Sequence, residues 1–340
     1  MINIGINGFG RIGKTFFRLI FEKKNDLKVR FINEVNKTKL SDHDYLQNLF
    51  YLLINDSIYG KFVKKVRIDK NILFINNQKI EFFLGDIGEV NFNKFKIDTL
   101  VDCSGEYNSD YKNKKSLKNF RVVMSSNYKD ADITLVHGIN NKDYLRKKHR
   151  LISASSCTGQ ALIPFAKLID DHFSITNGFI NTIHPSLSND SIIDNPKQAF
   201  HQGRSSKNIK LVESKVVKST VKVLPNLKNK LFAKSLSCRV PTDIVTSILG
   251  VIQVDKKINS KEQILKLIKK NYKNIYVCEG FNNQPLVSID YLKNKHPCII
   301  PLEWLDVNNE KLIRFSIWQD NEYGYCNQLY KTVIYVNSKN

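Results

Sequence analysis

The chain has 340 residues, too many for one small domain and suited to two domains sharing an interface. Hydrophobic residues make up 42% and charged residues 25%, the balance of a globular protein, and the longest apolar run, Ile244 to Val254, is far too short to cross a bilayer. The formal net charge of +21 raises nucleic acid or an acidic membrane surface, but the excess is nearly all lysine interleaved with asparagine (KNKKSLKNF, LKLIKKNYKNI), without arginine-rich or aromatic-interleaved clusters, and it reads as a solvated surface that helps steer anionic substrates.

The first residues, MINIGINGFGRIGK, enter strand-like sequence at once, with no basic stretch, apolar core and cleavage site of a signal peptide. Ile2–Ile6 alternates, a glycine-rich turn follows, and Ile12 to Phe21 carries apolar residues at helical spacing. A second strand, Lys28–Asn33, ends at Glu34. Further strand-like runs are Thr99–Cys103, Arg121–Met124, Ile133–Val136 and Leu151–Ser153, separated by short helical or polar connections. This half reads as an alternating, mostly parallel sheet with helices on its faces. Beyond Cys157 the character changes. A helix over Thr158–Asp171 stacks Ala161, Leu162, Phe165, Leu168 and Ile169 on one side. Longer strands then follow at Gly178–Ile183, Ser235–Val240, Ile244–Val254, Leu286–Ile289 and Leu312–Trp318, the pattern of a larger sheet covered on one face. The boundary falls near Ser156, which divides the chain into residues 1–156 and a second domain from 157. The six cysteines (Cys103, Cys157, Cys238, Cys278, Cys298, Cys326) show no CxxC pair and no metal-ligand spacing; they read as reduced thiols in a cytoplasmic protein.

Gly8-Phe9-Gly10-Arg11-Ile12-Gly13 fits GxGxxG, a weak pattern alone. Its context strengthens it, because it follows a strand, opens a helix, and is answered by an acidic residue, Glu34, at the end of the next strand. Gly8 permits the tight turn, Gly10 lets backbone approach a pyrophosphate, and Gly13 lets helix and strand pack. The helix N-terminus offers N–H groups and positive partial charge to the phosphates. Glu34 is placed to accept from both ribose hydroxyls and to repel a 2′-phosphate, which favours NAD over NADP.

Cys157 sits where a helix begins, a position that lowers a thiol pKa. His184 ends an apolar strand, which aims its ring from a strand terminus. Spacing alone assigns neither residue. A lone cysteine is as readily a small buried hydrophobe, and a lone histidine a structural residue.

The segments NGFGRIG, SSCTGQALIP around Cys157, TIHP at His184, RVPT at Arg239 and WQDNEYGY resemble, in order and interval, the glyceraldehyde-3-phosphate dehydrogenase family over essentially the whole chain. That resemblance implies an α/β fold: a Rossmann-type doubly wound parallel sheet, then an α+β catalytic domain (157–320) with a large mixed sheet covered on one face. The segment 321–340 would pack back on the nucleotide domain. It further implies that Cys157 attacks an aldehyde and that His184 takes the hydroxyl proton, its imidazolium supporting the thiolate beforehand. Arg11 and Ile12 would present backbone groups to the pyrophosphate of NAD. Ser125 would lie near the nicotinamide end, and Asn321 would hydrogen-bond the carboxamide. Ser156, Thr158, Ser214, Lys215 and Arg239 would hold phosphate groups. The implied partners are a small phosphorylated aldehyde, inorganic phosphate and further copies of the chain in a homotetramer, not nucleic acid or membrane.

Departures from the family cluster around phosphate recognition. Gly159 and Gln160 replace the second Thr and the Asn of SCTTN, Leu187 stands where a Thr is common, Glu213-Ser214-Lys215 replaces STG, and Ile244 displaces an Asn. Erythrose-4-phosphate dehydrogenases, close relatives, also lack the Thr after the catalytic His and carry Asn-Glu where this chain has Asn33-Glu34. The substrate is therefore less specified than the reaction. A family member without turnover, acting as a binding protein, is the third reading.

Overall fold

The computed structural model describes residues 1–23, 26–76, 78–105, 111, 119–271, 276–277 and 285–338. They form two compact units: Met1–Ser155 together with residues from Cys326 onward, and Ser156–Tyr325.

The first unit is built on a nine-stranded sheet. Its order is Ile133–Thr134, Leu151–Ser153, Arg121–Met124, Thr99–Asp102, Ile2–Asn7, Leu27–Glu34, Gln78–Leu84, Ile72–Ile75, Val66–Asp69. Pairing is parallel from Ile133–Thr134 through Gln78–Leu84, and antiparallel for the last two. Ile2–Asn7 lies between Leu27–Glu34 and Thr99–Asp102, so the strand order reverses around it. The register aligns Asn7 with Asn33 on one side and Asp102 on the other. An open parallel sheet binds ligands beyond the carboxyl ends of its strands at such a reversal.

Helix Arg11–Glu22 buries Phe16, Phe17, Leu19 and Ile20, and Phe17 meets Phe9 edge to face at 5.6 Å. A second aromatic cluster gathers Phe31, Phe92, Phe95 and Phe120. The last helix, Tyr323–Ser338, is tied to this unit beyond Cys326. Tyr330 donates to Asp26 (2.9 Å), Asn337 to Thr99 (2.9 Å), and Tyr335 to Asn141 O (2.9 Å).

The second unit carries a mixed sheet in the order Lys210–Ser214, Ser235–Arg239, Ile175–His184, Thr246–Val254, Leu312–Gln319, Cys298–Ile299, Tyr276–Val277, with Asp306–Asn308 added to Leu312–Gln319. Helix Cys157–Phe173 covers one face, burying Ala161, Leu162, Phe165, Leu168 and Ile169; Phe165 packs on Phe315 with the rings tilted by 50° and their centroids 4.6 Å apart. The opposite face leaves Phe179, Leu249 and Val251 more than two-fifths exposed. Both sheets have the architecture expected from the sequence pattern.

Three expected strands are corrected. Leu286–Ile289 is not a strand. The Asp290 carboxylate accepts the N–H of Val287 (2.7 Å) and turns the chain into a 3-10 helix, Ser288–Tyr291. Strand Ile133–Thr134 stops short of Val136, whose N–H bonds to the Asn140 side chain (2.8 Å) instead of a neighbouring strand. Strand Thr246–Val254 starts two residues late, because Val245 has φ 76°, outside the extended range. Cys278 lies outside the described residues.

Candidate functional site

In the first unit the glycine loop is shaped by close packing. Gly8 has φ +89°, and a Cβ there would collide with the backbone of Ser104. A Cβ on Gly13 would collide with the carbonyl oxygen of Gly8, whereas the same atom on Gly10 would enter open space. Gly10 is the N-cap of helix Arg11–Glu22 and supplies no side chain to it. A glycine with open space before an uncapped helix start leaves room for a pyrophosphate to approach backbone N–H groups. Arg11 turns its side chain away to an ion pair with Asp56 (2.6 Å), so it offers the loop only its backbone.

Glu34 reaches the same loop. Its carboxylate accepts the N–H of Phe9, and that of Val35 at 2.9 Å. A cavity of about 350 Å³ opens here, lined by Gly8, Gly10, Glu34, Thr38, Tyr45 and Cys103. Ser125 follows strand Arg121–Met124, and its N–H donates to Asp102 O (2.8 Å). These residues fit NAD: a cradle that a Cβ would fill, and a carboxylate in the pocket with acceptor capacity left for ribose hydroxyls. Burial pushes the neighbouring Cys103 thiol far up, with Asp102 adding to it, which leaves that cysteine a structural residue.

In the second unit Ser156 is the N-cap of helix Cys157–Phe173, its Oγ accepting the N–H of Gly159 at 3.1 Å. The preceding residue, Ser155, has φ 61°, the sharp turn that delivers Cys157 to the first helical position. Ser156 Oγ lies 3.2 Å from Thr158 Oγ1 and 3.4 Å from Ser219 Oγ, a group of three hydroxyls.

The Cys157 thiol does not have the lowered pKa expected from its place in the sequence. Burial raises it; the Thr158 N–H and the Arg239 guanidinium pull it down, and Glu322 raises it. The helix terminus therefore offsets the cost of enclosing a thiolate without overcoming it.

His184 is buried at the end of strand Ile175–His184. Its Nδ1 is 2.9 Å from Pro185 O, which fixes the proton on Nδ1 and leaves Nε2 as the acceptor. Burial, then the Arg239 cation, lowers its pKa to about 4. The imidazolium expected beside the thiolate is thus replaced by a neutral imidazole, the form a general base requires. Arg239 acts on both groups, and it is the register partner of His184 across the parallel strands.

Ser214 is buried, with its Oγ accepting from Val216 N (3.3 Å). Lys215 is exposed at the N-cap of helix Val216–Val223. Asn321 Oδ1 accepts Val245 N at 2.9 Å. Sequence reading passed over two residues: Lys210 and Asp190 form a buried ion pair of 2.9 Å in the strand and loop beside Arg239 and His184. The available signal was the alternation of Lys210, Val212 and Ser214 along one strand, which puts the lysine on the covered face.

Residues 2–110 match the family described as glyceraldehyde 3-phosphate dehydrogenase, NAD binding domain, and residues 156–321 match its C-terminal domain. Among curated proteins, glyceraldehyde-3-phosphate dehydrogenase 1 of Bacillus subtilis (strain 168) is 30% identical over 342 residues, covering 99% of this chain and 99% of that protein.

Proposed function

The chain belongs to the glyceraldehyde-3-phosphate dehydrogenase family and is an NAD-dependent oxidoreductase; from that premise we propose that it oxidises glyceraldehyde 3-phosphate, with inorganic phosphate, to an acyl phosphate. The observation that carries this reading is the neutral His184, its Nε2 left as acceptor and Arg239 beside it and the Cys157 thiol. NAD, when bound, supplies the hydride acceptor. Cys157 Sγ adds to the aldehyde carbon, and His184 takes the proton of the resulting hydroxyl as the thioester forms. A phosphate oxygen then attacks the thioester carbonyl, the carbon–sulfur bond breaks, and the thiolate leaves. The hydroxyls of Ser156 and Thr158 suit the attacking phosphate, and the fork of Arg239 suits the phosphate of the substrate.

Erythrose 4-phosphate is the second substrate to test, favoured by Leu187 in place of a hydroxyl and by Asn33-Glu34 at the nucleotide pocket. NADH formation measured with each aldehyde, with and without phosphate, decides between them. Strict dependence on phosphate with glyceraldehyde 3-phosphate as the better substrate supports the first reading. No turnover with either, while Cys157 is labelled stoichiometrically, supports a binding protein instead.

A homotetramer in the cytoplasm completes the proposal. Its support is the open apolar face of the mixed sheet at Phe179, Leu249, Val251 and Trp304, more than an isolated chain normally leaves to water. The five described cysteines are free thiols, and no described helix is long and apolar enough to cross a membrane.

A further inference from the structure

His184, Arg239 and Lys210 lie in one row across three neighbouring strands. His184 pairs with Arg239 in the parallel register, and Arg239 with Lys210 in the antiparallel one. Residues at one register level project from the same face of a sheet. Lys210 and His184 are 7% and 8% exposed, which identifies the face as the covered one.

A lysine is seldom buried without compensation. Here Asp190 supplies it: Lys210 Nζ lies 2.9 Å from Asp190 Oδ1, with the two side chains 6% and 5% exposed. The pair is a charge contact and not an aligned hydrogen bond, for Lys210 Nζ has no hydrogen-bond partner among the described residues, nor does Arg239 Nη1. Asp190 Oδ2 accepts the N–H of Leu187 at 3.0 Å, and its charge is felt by both His184 and Arg239. One carboxylate thus links the lysine to the position where the family's hydroxyl is missing. A pair retained only for stability gains little from burial and has no need of an ammonium with uncommitted donors. A buried ammonium and a half-buried guanidinium, each with an open donor and paired across adjacent strands, suit an anion.

We propose that Lys210, seated on Asp190, determines specificity by donating to the phosphate of the aldehyde alongside Arg239, in place of the hydroxyl absent at Leu187. This inference rests on the phosphorylated-aldehyde reading above. The ammonium is a point charge on a flexible stem, so it reaches a phosphate oxygen without the geometry an arginine fork imposes.

The test removes the pair together, as Lys210→Met with Asp190→Asn, because deleting the lysine alone strands a buried carboxylate. Three quantities are measured on the full chain with NAD. They are the KM and kcat for glyceraldehyde 3-phosphate, the same for unphosphorylated glyceraldehyde, and the Kd of glycerol 3-phosphate, an unreactive phosphate monoester. Loss of a charged donor predicts a rise of about ten-fold or more in the phosphorylated KM and in the Kd. The KM for glyceraldehyde should rise far less than that for the phosphorylated aldehyde, and Lys210→Arg should restore most of the phosphate affinity. A lowered Tm with both aldehydes affected equally, or an unchanged Kd, overturns the assignment. If the double variant does not fold, Lys210→Gln is judged on the Kd alone by the same criterion. Wild-type protein that binds glycerol 3-phosphate through Lys210 yet oxidises no phosphorylated aldehyde would keep the anion site and sink the proposed reaction.

Discussion

Asn321 holds Val245 in a backbone conformation that a β-branched residue avoids: its Oδ1 accepts the Val245 N–H at 2.9 Å while Val245 has φ 76°. A residue in that region costs on the order of 1–3 kcal/mol and persists only where its surroundings hold it. The bond also orients the amide. With Oδ1 engaged, the NH₂ group is the end left to donate, which is the polarity needed toward a carboxamide oxygen.

Asn321→Asp keeps the acceptor for Val245 and loses the donor. Its Tm should stay close to wild type while the KM for NAD rises about ten-fold, the cost of one lost donor. Asn321→Ala loses both ends and should also destabilise by roughly 1–3 kcal/mol in denaturant unfolding. Unaltered NAD binding in the Asp variant would show that the amide serves Val245 alone.

A pH dependence follows from His184. Its folded pKa of about 4 lies below the ordinary value of 6.5, so the unfolded chain binds the extra proton first as pH falls. Stability from this group is complete above about pH 6.5 and is lost progressively toward pH 4, by roughly 3 kcal/mol in all. Unfolding free energies of wild type and His184→Gln should diverge across that window, the variant having the shallower dependence. Parallel curves would place the histidine in a far more solvated setting.

The nucleotide half was legible because its constraints are local. Gly8, Gly10 and Gly13 declare a turn, an approach and a packing contact within six residues, and Glu34 follows at the next strand end. The antiparallel extension Val66–Asp69 and Ile72–Ile75, added to the edge of Gln78–Leu84, was not, since those two strands are only four residues long each. The catalytic half depends on contacts distant in sequence. Nothing near Cys157 announces that desolvation would hold its thiol up, or that Arg239 would act on it. Lys210 was lost among the lysines of a basic chain; only its pairing with Arg239 and its contact with Asp190, 20 residues earlier, separate it from the solvated ones.

Cys157 chemistry is testable by alkylation of the NAD-free protein. Burial holds the thiol above its ordinary value, and Arg239 opposes that. Modification with a small alkylating reagent should therefore keep accelerating above pH 8.5, past the point where a free thiol levels off. Arg239→Gln should shift the curve further alkaline and slow the reaction at pH 8. Cys103, raised much further by burial and Asp102, should be among the slowest thiols in peptide mapping. A plateau well below pH 8.5 would mean that the helix terminus outweighs burial after all.

The last prediction concerns Glu34, whose carboxylate has two tasks. It accepts the N–H groups of Phe9 and Val35, which ties the glycine loop to the end of strand Leu27–Glu34, and it faces the cavity beside Gly8 and Gly10. Each carboxylate oxygen has capacity for more than one donor, so these bonds leave room for ribose hydroxyls. A 2′-phosphate would instead meet a negative charge in a confined site, a repulsion worth several-fold to a hundred-fold in affinity. Glu34→Gln removes the charge and retains one acceptor oxygen for the loop. It should lower kcat/KM for NAD by about ten-fold and raise that for NADP, narrowing the preference from both sides. Glu34→Ala frees the loop as well, and should also lower Tm. The Gln and Ala variants thus separate the electrostatic task from the structural one. If Glu34→Gln leaves the NAD to NADP ratio unmoved, the carboxylate serves the loop and the cofactor is selected elsewhere.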